Sequence, residues 1–449
     1  MELSNSYNSV IVGKSYISIA FAILQKNKFG IENLVLDDES FQLGDKWNTN
    51  IGEIEKKTLQ KLGSRYNIEP LCRIDEFVEQ NNTLIFLNEK MIELGSSAFS
   101  NIKELARKLP QCFSNEFIEG LEQIVPENFD AQVDSFFNKV ATDAVEEKQL
   151  DEKKIFLGDS EPLESVFVRF LKYLESDKLV TSQLQYILQA LFQTLLSNVL
   201  SQAESRYLLA SILSPRYRVD TKRLQEELMF SYKSLGGRSK RAKVQRFELY
   251  KNKLDYILLD SFEGAIKTDE VYLFGHFEKG APFECSIDST LYKSINISCP
   301  IEHKFAQRFI GKRIIFSSAA RMGTDFPHWE VVIDGKSIAK ALYVYANYEG
   351  AKPSFFYKKA SEDLFNSLNS IFPGLNRTDW ESQIQFEEGT DVWLENIDAK
   401  SESKRQKLYS ELGAQCYQNG GAVKKLIYCG PLRSRFLGVF GYLLNIFNR

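Results

Sequence analysis

The chain has 449 residues and a mass of 51.6 kDa, too long for one ordinary hydrophobic core and suited to two or three domains. With 43% hydrophobic and 26% charged residues it is not a wholly disordered chain. Lys plus Arg total 56 against 60 Asp plus Glu, and the resulting net charge of −4 excludes a chain-wide polyanion-binding surface while leaving room for a local patch.

Residues 8–36 read as strand, turn, helix, strand. Val10-Ile11-Val12 is a short buried-strand run ending at Gly13, and Ile17, Ile19, Ala20, Ala22, Ile23 and Leu24 make an apolar helix face. Asn33-Leu34-Val35-Leu36 is a second buried strand, closing at Asp37-Asp38. Short apolar strands around a helix of this length form a right-handed βαβ unit with parallel strands.

Residues 96–205 have a helical texture. Leu163, Val166, Phe167, Phe170, Leu171 and Leu174 follow helical spacing behind an Asp159-Ser160 cap, with Pro162 in the first turn. Leu184, Ile187, Leu188, Leu191, Leu195 and Val199 repeat the pattern. The charged run Val145–Lys154 reads as a solvated helix face or loop that separates this insertion from what precedes it. Residues 206–280 return to αβ character, with a helix through Thr221–Ser234 ending at Gly236-Gly237 and strands at Lys243–Leu249 and Leu254–Leu259. Strand-like runs follow at Arg313–Ser317, Glu330–Ile333 and Ala341–Tyr348, then a helix over Ala360–Ile371 and a last buried strand at Lys425–Gly430. The absence of any internal repeat argues against solenoids and propellers.

One motif carries mechanistic content: Val10-Ile11-Val12-Gly13-Lys14-Ser15-Tyr16-Ile17-Ser18. A dinucleotide fold places G-x-G-x-x-G at this turn. The first glycine makes the turn, the second lets the backbone approach the pyrophosphate, and the third permits close helix–strand packing. Gly13 supplies the first, while Ser15 and Ser18 stand at the other two. An acid at the end of the second strand holds the ribose in such folds, and Asp37 occupies that place.

In element order the chain resembles the amine oxidase and phytoene desaturase-like flavoproteins. The opening βαβ, Gly44, and the segment 84–110 (LIFLNEKMIELGSSAFSNIKELARKLP) match a strand hairpin that leads into a helical substrate domain. The passage from helix through Leu235-Gly236-Gly237 to strand resembles the return to the flavin domain, where Val244 matches a residue whose backbone meets the adenine. Leu426–Gly430 resembles the last strand, with Gly430 close to the flavin. The resemblance therefore implies flavin adenine dinucleotide (FAD) as cofactor, held by Gly13, Lys14, Ser15, Ser18, Asp37, Gly44, Val244 and Gly430. The departures are specific. Two phosphate-loop glycines are serines, the paired glycines after the ribose acid reduce to Leu43-Gly44, the arginine expected beyond them is absent, and Pro431 replaces the acid after Gly430. A Cβ at the close-approach position pushes a pyrophosphate away from the helix N-terminus, whereas Lys14 and Ser15 offer positive charge and hydrogen bonds in return.

Other features read as structural. Between Lys233 and Lys253 eight basic residues stand against Glu248 alone, the pattern of a hairpin edge protected by charge; nucleic acid is not an expected partner, because interleaved aromatics are few. The six cysteines form no C-x-x-C and read as free buried thiols, and His276, His303 and His328 make no metal-ligand pair. Cys429 is expected to pack. No signal peptide is expected from MELSNSYNSV. The apolar run Phe436–Phe447 is too short to span a bilayer and reads as a packed helix or a peripheral membrane contact. The expected compartment is the cytoplasm.

The resulting expectation is an α/β chain with a Rossmann-type FAD/NAD(P)-binding fold. Its nucleotide domain is discontinuous over 1–95, 206–270 and 401–449, and 96–205 with 271–400 form a helical and mixed-sheet substrate domain. Two functions suit it. One is an FAD-dependent oxidoreductase transferring hydride from an apolar amine, polyene or similar small molecule to flavin, with no catalytic dyad visible in the sequence. The other is a flavin-free pseudoenzyme that binds a protein or lipidated partner, as the Rab GDP-dissociation inhibitors do on a similar fold. Either implies an apolar, aromatic cleft between the domains, drawing on Phe167, Phe170, Tyr343, Tyr345 and Phe355-Phe356-Tyr357.

Overall fold

The computed structural model describes residues 3–38, 50–87, 90–110, 119–120, 123, 126–146, 195–196, 210–211, 213–250, 253–260, 264–274, 291–301, 307–317, 328–333, 338–346, 353–371, 375–388, 392–393, 396–397, 426–429 and 443. The elements run β1 (Leu3–Val12), α1 (Tyr16–Phe29), β2 (Asn33–Asp37), β3 (Asn50–Gly52), α2 (Glu53–Tyr66), β4 (Val78–Gln80), β5 (Thr83–Leu87), β6 (Lys90–Leu94), α3 (Ala98–Lys108) and α4 (Pro126–Glu146). There follow β7 (Leu195–Leu196), β8 (Arg216–Val219), α5 (Thr221–Ser234), β9 (Arg238–Arg241), β10 (Val244–Tyr250), β11 (Lys253–Leu259) and β12 (Ala265–Leu273). The last are β13 (Leu291–Pro300), β14 (Arg313–Ser317), β15 (His328–Ile333), β16 (Ile338–Ala346), α6 (Pro353–Ile371), α7 (Arg377–Gln383), β17 (Gln385–Glu388), β18 (Val392–Trp393), β19 (Asn396–Ile397) and β20 (Leu426–Tyr428).

Five strands form a parallel sheet in the order β9-β2-β1-β12-β20. Strand β12 is shared: its first half pairs antiparallel with β11, extending the sheet through the β10–β11 hairpin, and its second half pairs with β20. Alternation along β1 and β2 sends Ile11 and Val35 to one face and Val10, Val12, Leu34 and Leu36 to the other. Both faces are covered, as a parallel sheet requires. Ile11 and Val35 meet α1, and α1 in turn meets Leu59 and Leu62 of α2 and Leu224, Leu228 and Tyr232 of α5. That double cover explains why every residue of α1 from Tyr16 to Gln25 is buried rather than a single face.

A second, mixed sheet runs β17-β13-β16-β15-β14-β5-β6, antiparallel except where β14 pairs with β5. Ala360, Leu364 and Leu368 of α6 and Trp380 of α7 pack with its strands in a separate core. The β5–β6 hairpin therefore belongs to the second sheet although its residues fall in the expected 1–95 segment, and β12 runs through the expected boundary at 270. A small sheet β3-β8-β4 lies at the start of α2.

Several local expectations change. Leu195 does not continue a helix: Leu195-Leu196 pair as a parallel strand with Asn396-Ile397. Val145 is a buried residue of α4, not part of a solvated separator, because its helix packs on α2. Cys72 is exposed at the end of the turn Glu69–Cys72, while Cys299 and Cys429 are buried and form no disulfide. Cys299 is 1% exposed within the second core, and burial pushes its thiol up to about 12, as suits a packing group.

Candidate functional site at the carboxyl edge of the parallel sheet

In open α/β sheets ligands bind outside the carboxyl ends of the strands, where the connections diverge. Here β1 leads through α1 to β2 on one side, and β12 lies on its other side. The ends converge through backbone bonds: Gly13 N–H donates to Leu36 O at 3.0 Å, Phe274 N–H to Val12 O at 2.8 Å, and Cys429 N–H to Leu273 O at 2.7 Å. Gly13 has φ 98°, in the left-handed region that favours glycine, so the first glycine of the expected loop serves its expected purpose.

The remaining loop residues are tied to one another. Ser15 is the N-cap of α1, with extended backbone at φ −139°. Its hydroxyl accepts the Ser18 N–H at 3.1 Å, and the Ser18 hydroxyl accepts the Ser15 N–H at 2.7 Å, a reciprocal capping box. The Ser18 hydroxyl also donates to Ser15 O at 2.9 Å. Gly13, Ser15, Tyr16, Ile17 and Ser18 are all buried, and only Lys14 reaches the surface of this turn. Its ammonium donates to Asp37 Oδ2 at 2.9 Å. Asp37 thus stands beside the Gly13 turn, as the βαβ reading requires.

Val244 opens β10, and its N–H donates to Asp38 Oδ2 at 2.6 Å. Asp38 is 1% exposed and was not singled out from the sequence. The available signal was the pair Asp37-Asp38 closing a buried strand, where alternation directs the two carboxylates to different sides. Gly44 and Gly430 lie outside the described residues, as do His276, His303 and Pro431. Cys429 packs at 1% exposure with Phe274 and Leu443, the one described residue of the C-terminal apolar run. The basic stretch forms β9, whose Arg238 and Arg241 are exposed at the edge of the sheet, together with the start of β10.

These residues do not fit FAD in the place that a glycine-rich loop gives it. A helix N-terminus binds a pyrophosphate through backbone N–H groups left without partners. Here two of those donors, on Ser15 and Ser18, are satisfied by hydroxyls of the same turn, and the Ser15 side chain fills the close-approach position. The acid is engaged by Lys14, and the Val244 donor by Asp38.

Elsewhere, a cavity of about 750 Å³ lies between α2 and α4, lined by Gln60, Lys61, Ser64, Arg65, Thr142, Val145 and Glu146. All of these but Val145 carry polar or charged side chains, and the cavity lies apart from the Gly13 turn. Of the aromatics expected in an interdomain cleft, Tyr357 stacks on Phe386 with ring centroids 5.2 Å apart, within the second core. Phe167 and Phe170 lie outside the described residues. Among the described residues no cluster of His, Cys, Asp and Glu can hold a metal ion, and no helix is long and apolar enough to cross a membrane.

The architecture is a Rossmann-type parallel sheet, in the order β9-β2-β1-β12-β20, joined to a mixed sheet. No family model and no curated protein sequence matches the chain. Among solved structures it is similar to L-proline dehydrogenase from P. horikoshii, with a TM-score of 0.43, 11% identity, and 99% of this chain and 91% of that chain covered. It is also similar to a mutant of the halogenase PltM in complex with FAD (TM-score 0.47, 8% identity, 99% and 67% covered). A third is the peptidyl tryptophan dihydroxylase QhpG (TM-score 0.41, 7% identity), where the match takes in 87% of this chain but only 57% of that protein's length. All three scores lie below 0.5, so the fold assignment rests on the strand order.

Proposed function

We propose that the chain is a flavin-free binding protein on the flavoprotein fold, holding a protein partner instead of a redox cofactor. The reading is carried by the reciprocal Ser15–Ser18 box, which takes up with the protein's own hydroxyls two of the backbone donors a pyrophosphate would use. A partner surface is supported by Phe29 at the end of α1 and by Phe230 and Leu235 on and after α5, large apolar side chains left exposed on two helices that pack together. The test is the absorbance of the purified protein before and after incubation with FAD. Bands near about 370 and 450 nm are expected to be missing after gel filtration in both cases, and roughly one flavin per chain refutes the proposal.

A second reading, an FAD-dependent oxidoreductase acting on an apolar amine, polyene or similar small molecule, is favoured by Gly13 in its left-handed conformation and by Asp37 at the end of β2. It requires Ser15 and Ser18 to give up their mutual bonds. The same spectrum decides between the two.

A further inference from the structure

We infer that Asp38 is the resident ligand of the Val244 amide and closes the far end of the sheet's carboxyl edge, where β2 hands over to β9 and β10. The carboxyl edge of the parallel sheet presents backbone donors at two places. Near the Gly13 turn the donors are capped by serine hydroxyls. At the other a single carboxylate does the corresponding work, and neither motif nor spacing marks it in the sequence.

The geometry is that of a built contact. Asp38 follows β2 directly and its N–H donates back to Leu36 O at 3.1 Å, a tight turn that carries the side chain off the strand axis. The Asp38 Oδ2 to Val244 N distance of 2.6 Å is short for an N–H···O bond. The neighbouring strand is held in step by Ala242 N–H, which donates to Asp37 O at 3.3 Å. Around the contact lies the second face of the parallel sheet: Val12, Leu36, Ala242, Val244 and Leu259 belong to one buried apolar cluster. In such surroundings a carboxylate is retained only where it is well hydrogen-bonded, and removing one partner leaves the other donor unsatisfied.

A ligand that read the Val244 amide would have to displace this carboxylate. Asp38 is therefore a positioning residue: it fixes where β10 begins and denies its first donor to any nucleobase or phosphate oxygen. The inference shares with the flavin-free reading the view that the carboxyl edge is closed from within, but it rests on a different contact.

Backbone amide exchange and a titration with ADP test it. In the unmodified protein the Val244 amide is expected among the slowly exchanging ones, and ADP at millimolar concentration, on the order of the weakest specific affinities, is expected to leave it unchanged. Asp38→Ala should speed Val244 exchange about tenfold or more, while Asp38→Asn, which keeps an acceptor oxygen, should retain most of the protection. Equal Val244 exchange in the unmodified protein and Asp38→Ala overturns the inference. Should Asp38→Ala fail to fold, the unmodified protein still decides: fast Val244 exchange, or added protection of that amide by ADP, overturns it. A protein that carries FAD yet whose Val244 exchange depends on Asp38 would sink the flavin-free reading and leave this one standing.

Discussion

The first two helices start in the same way and to opposite effect. In both, the residue three positions into the turn bonds back to the cap: Ser18 takes the Ser15 N–H at the start of α1, and the Glu55 carboxylate takes the Gly52 N–H at 2.9 Å at the start of α2. At α1 the groups are neutral hydroxyls and the turn disappears into the core. At α2 the group is a single carboxylate, and a charged network grows around its neighbour Glu53. Glu53 accepts the Tyr217 hydroxyl, Lys57 lies 3.4 Å from Glu53 and 2.9 Å from Asp134, and Lys56 lies 2.8 Å from Asp75 and over the Tyr217 ring at 4.4 Å. A carboxylate at a helix N-terminus suits the macrodipole, but it needs partners once it is buried. A neutral box needs none, and it takes up two of the backbone donors an incoming phosphate would use.

The largest effect is expected where α2 is held by shape rather than charge. A Cβ on Gly63 would lie 2.4 Å from Cys72 N and 2.7 Å from Leu71 C, both backbone atoms that cannot swing away. Gly63→Ala should therefore cost about 3 kcal/mol despite its gain in helix propensity. A urea midpoint within error of the parent protein would show that the turn Glu69–Cys72 is free to shift, and that the charged network alone seats α2.

Next comes one substitution made on each side of the comparison. Tyr217→Phe removes a hydroxyl bonded to Glu53 and should cost about 1–2 kcal/mol. Tyr16→Phe removes a fully buried hydroxyl with no hydrogen-bond partner among the described residues, and should be neutral or stabilising by up to about 1 kcal/mol. Both phenols are pushed above their ordinary value, Tyr16 by burial and then the Glu55 charge, Tyr217 by burial and then its bond to Glu53. The raised values set the sign of the pH dependence. Stability tied to these protonated phenols is complete below about pH 10, the unfolded value, and falls as pH rises above it, where the unfolded chain ionises first. The double Phe variant should lose stability less steeply above that pH. Equal slopes in alkaline denaturation would mean that neither hydroxyl is as enclosed as its surroundings indicate.

What the sequence made legible follows from the same contrast. Val10-Ile11-Val12, Gly13 and the strand before Asp37 were readable because a buried parallel strand must be a continuous apolar run and the turn beyond it needs a left-handed residue. The helix Thr221–Ser234 was readable from its periodicity and its terminal glycines, and its bounds coincide with those of α5. Strand β9, Arg-Ser-Lys-Arg, was legible only as part of a charged edge: a strand that is exposed along most of its length has no apolar alternation to mark its bounds. Asp38 and the Glu53–Tyr217 contact were hidden for another reason. Both depend on partners more than 160 residues away in the chain, at separations of 206 and 164, and no local spacing encodes them.

The smallest effect is expected at the one exposed charge pair of the α1 turn. The Lys14 and Asp37 side chains are 37% and 24% exposed, so solvent and salt screen their 2.9 Å contact. Lys14→Met should change stability by no more than about 0.5 kcal/mol. It also frees Asp37, the acid at the ribose place, while leaving the Ser15–Ser18 box untouched. If the pair were the bar to nucleotide entry, Lys14→Met would take up FAD or ADP where the parent does not. If the hydroxyl box is the bar, freeing the acid changes nothing, and this second outcome is expected because the box, unlike the pair, is buried and satisfies the backbone donors themselves. Equilibrium dialysis with each nucleotide separates the two. Uptake by Lys14→Met would move the closure of the turn from its neutral core to its charged rim and erase the contrast between the two helix starts.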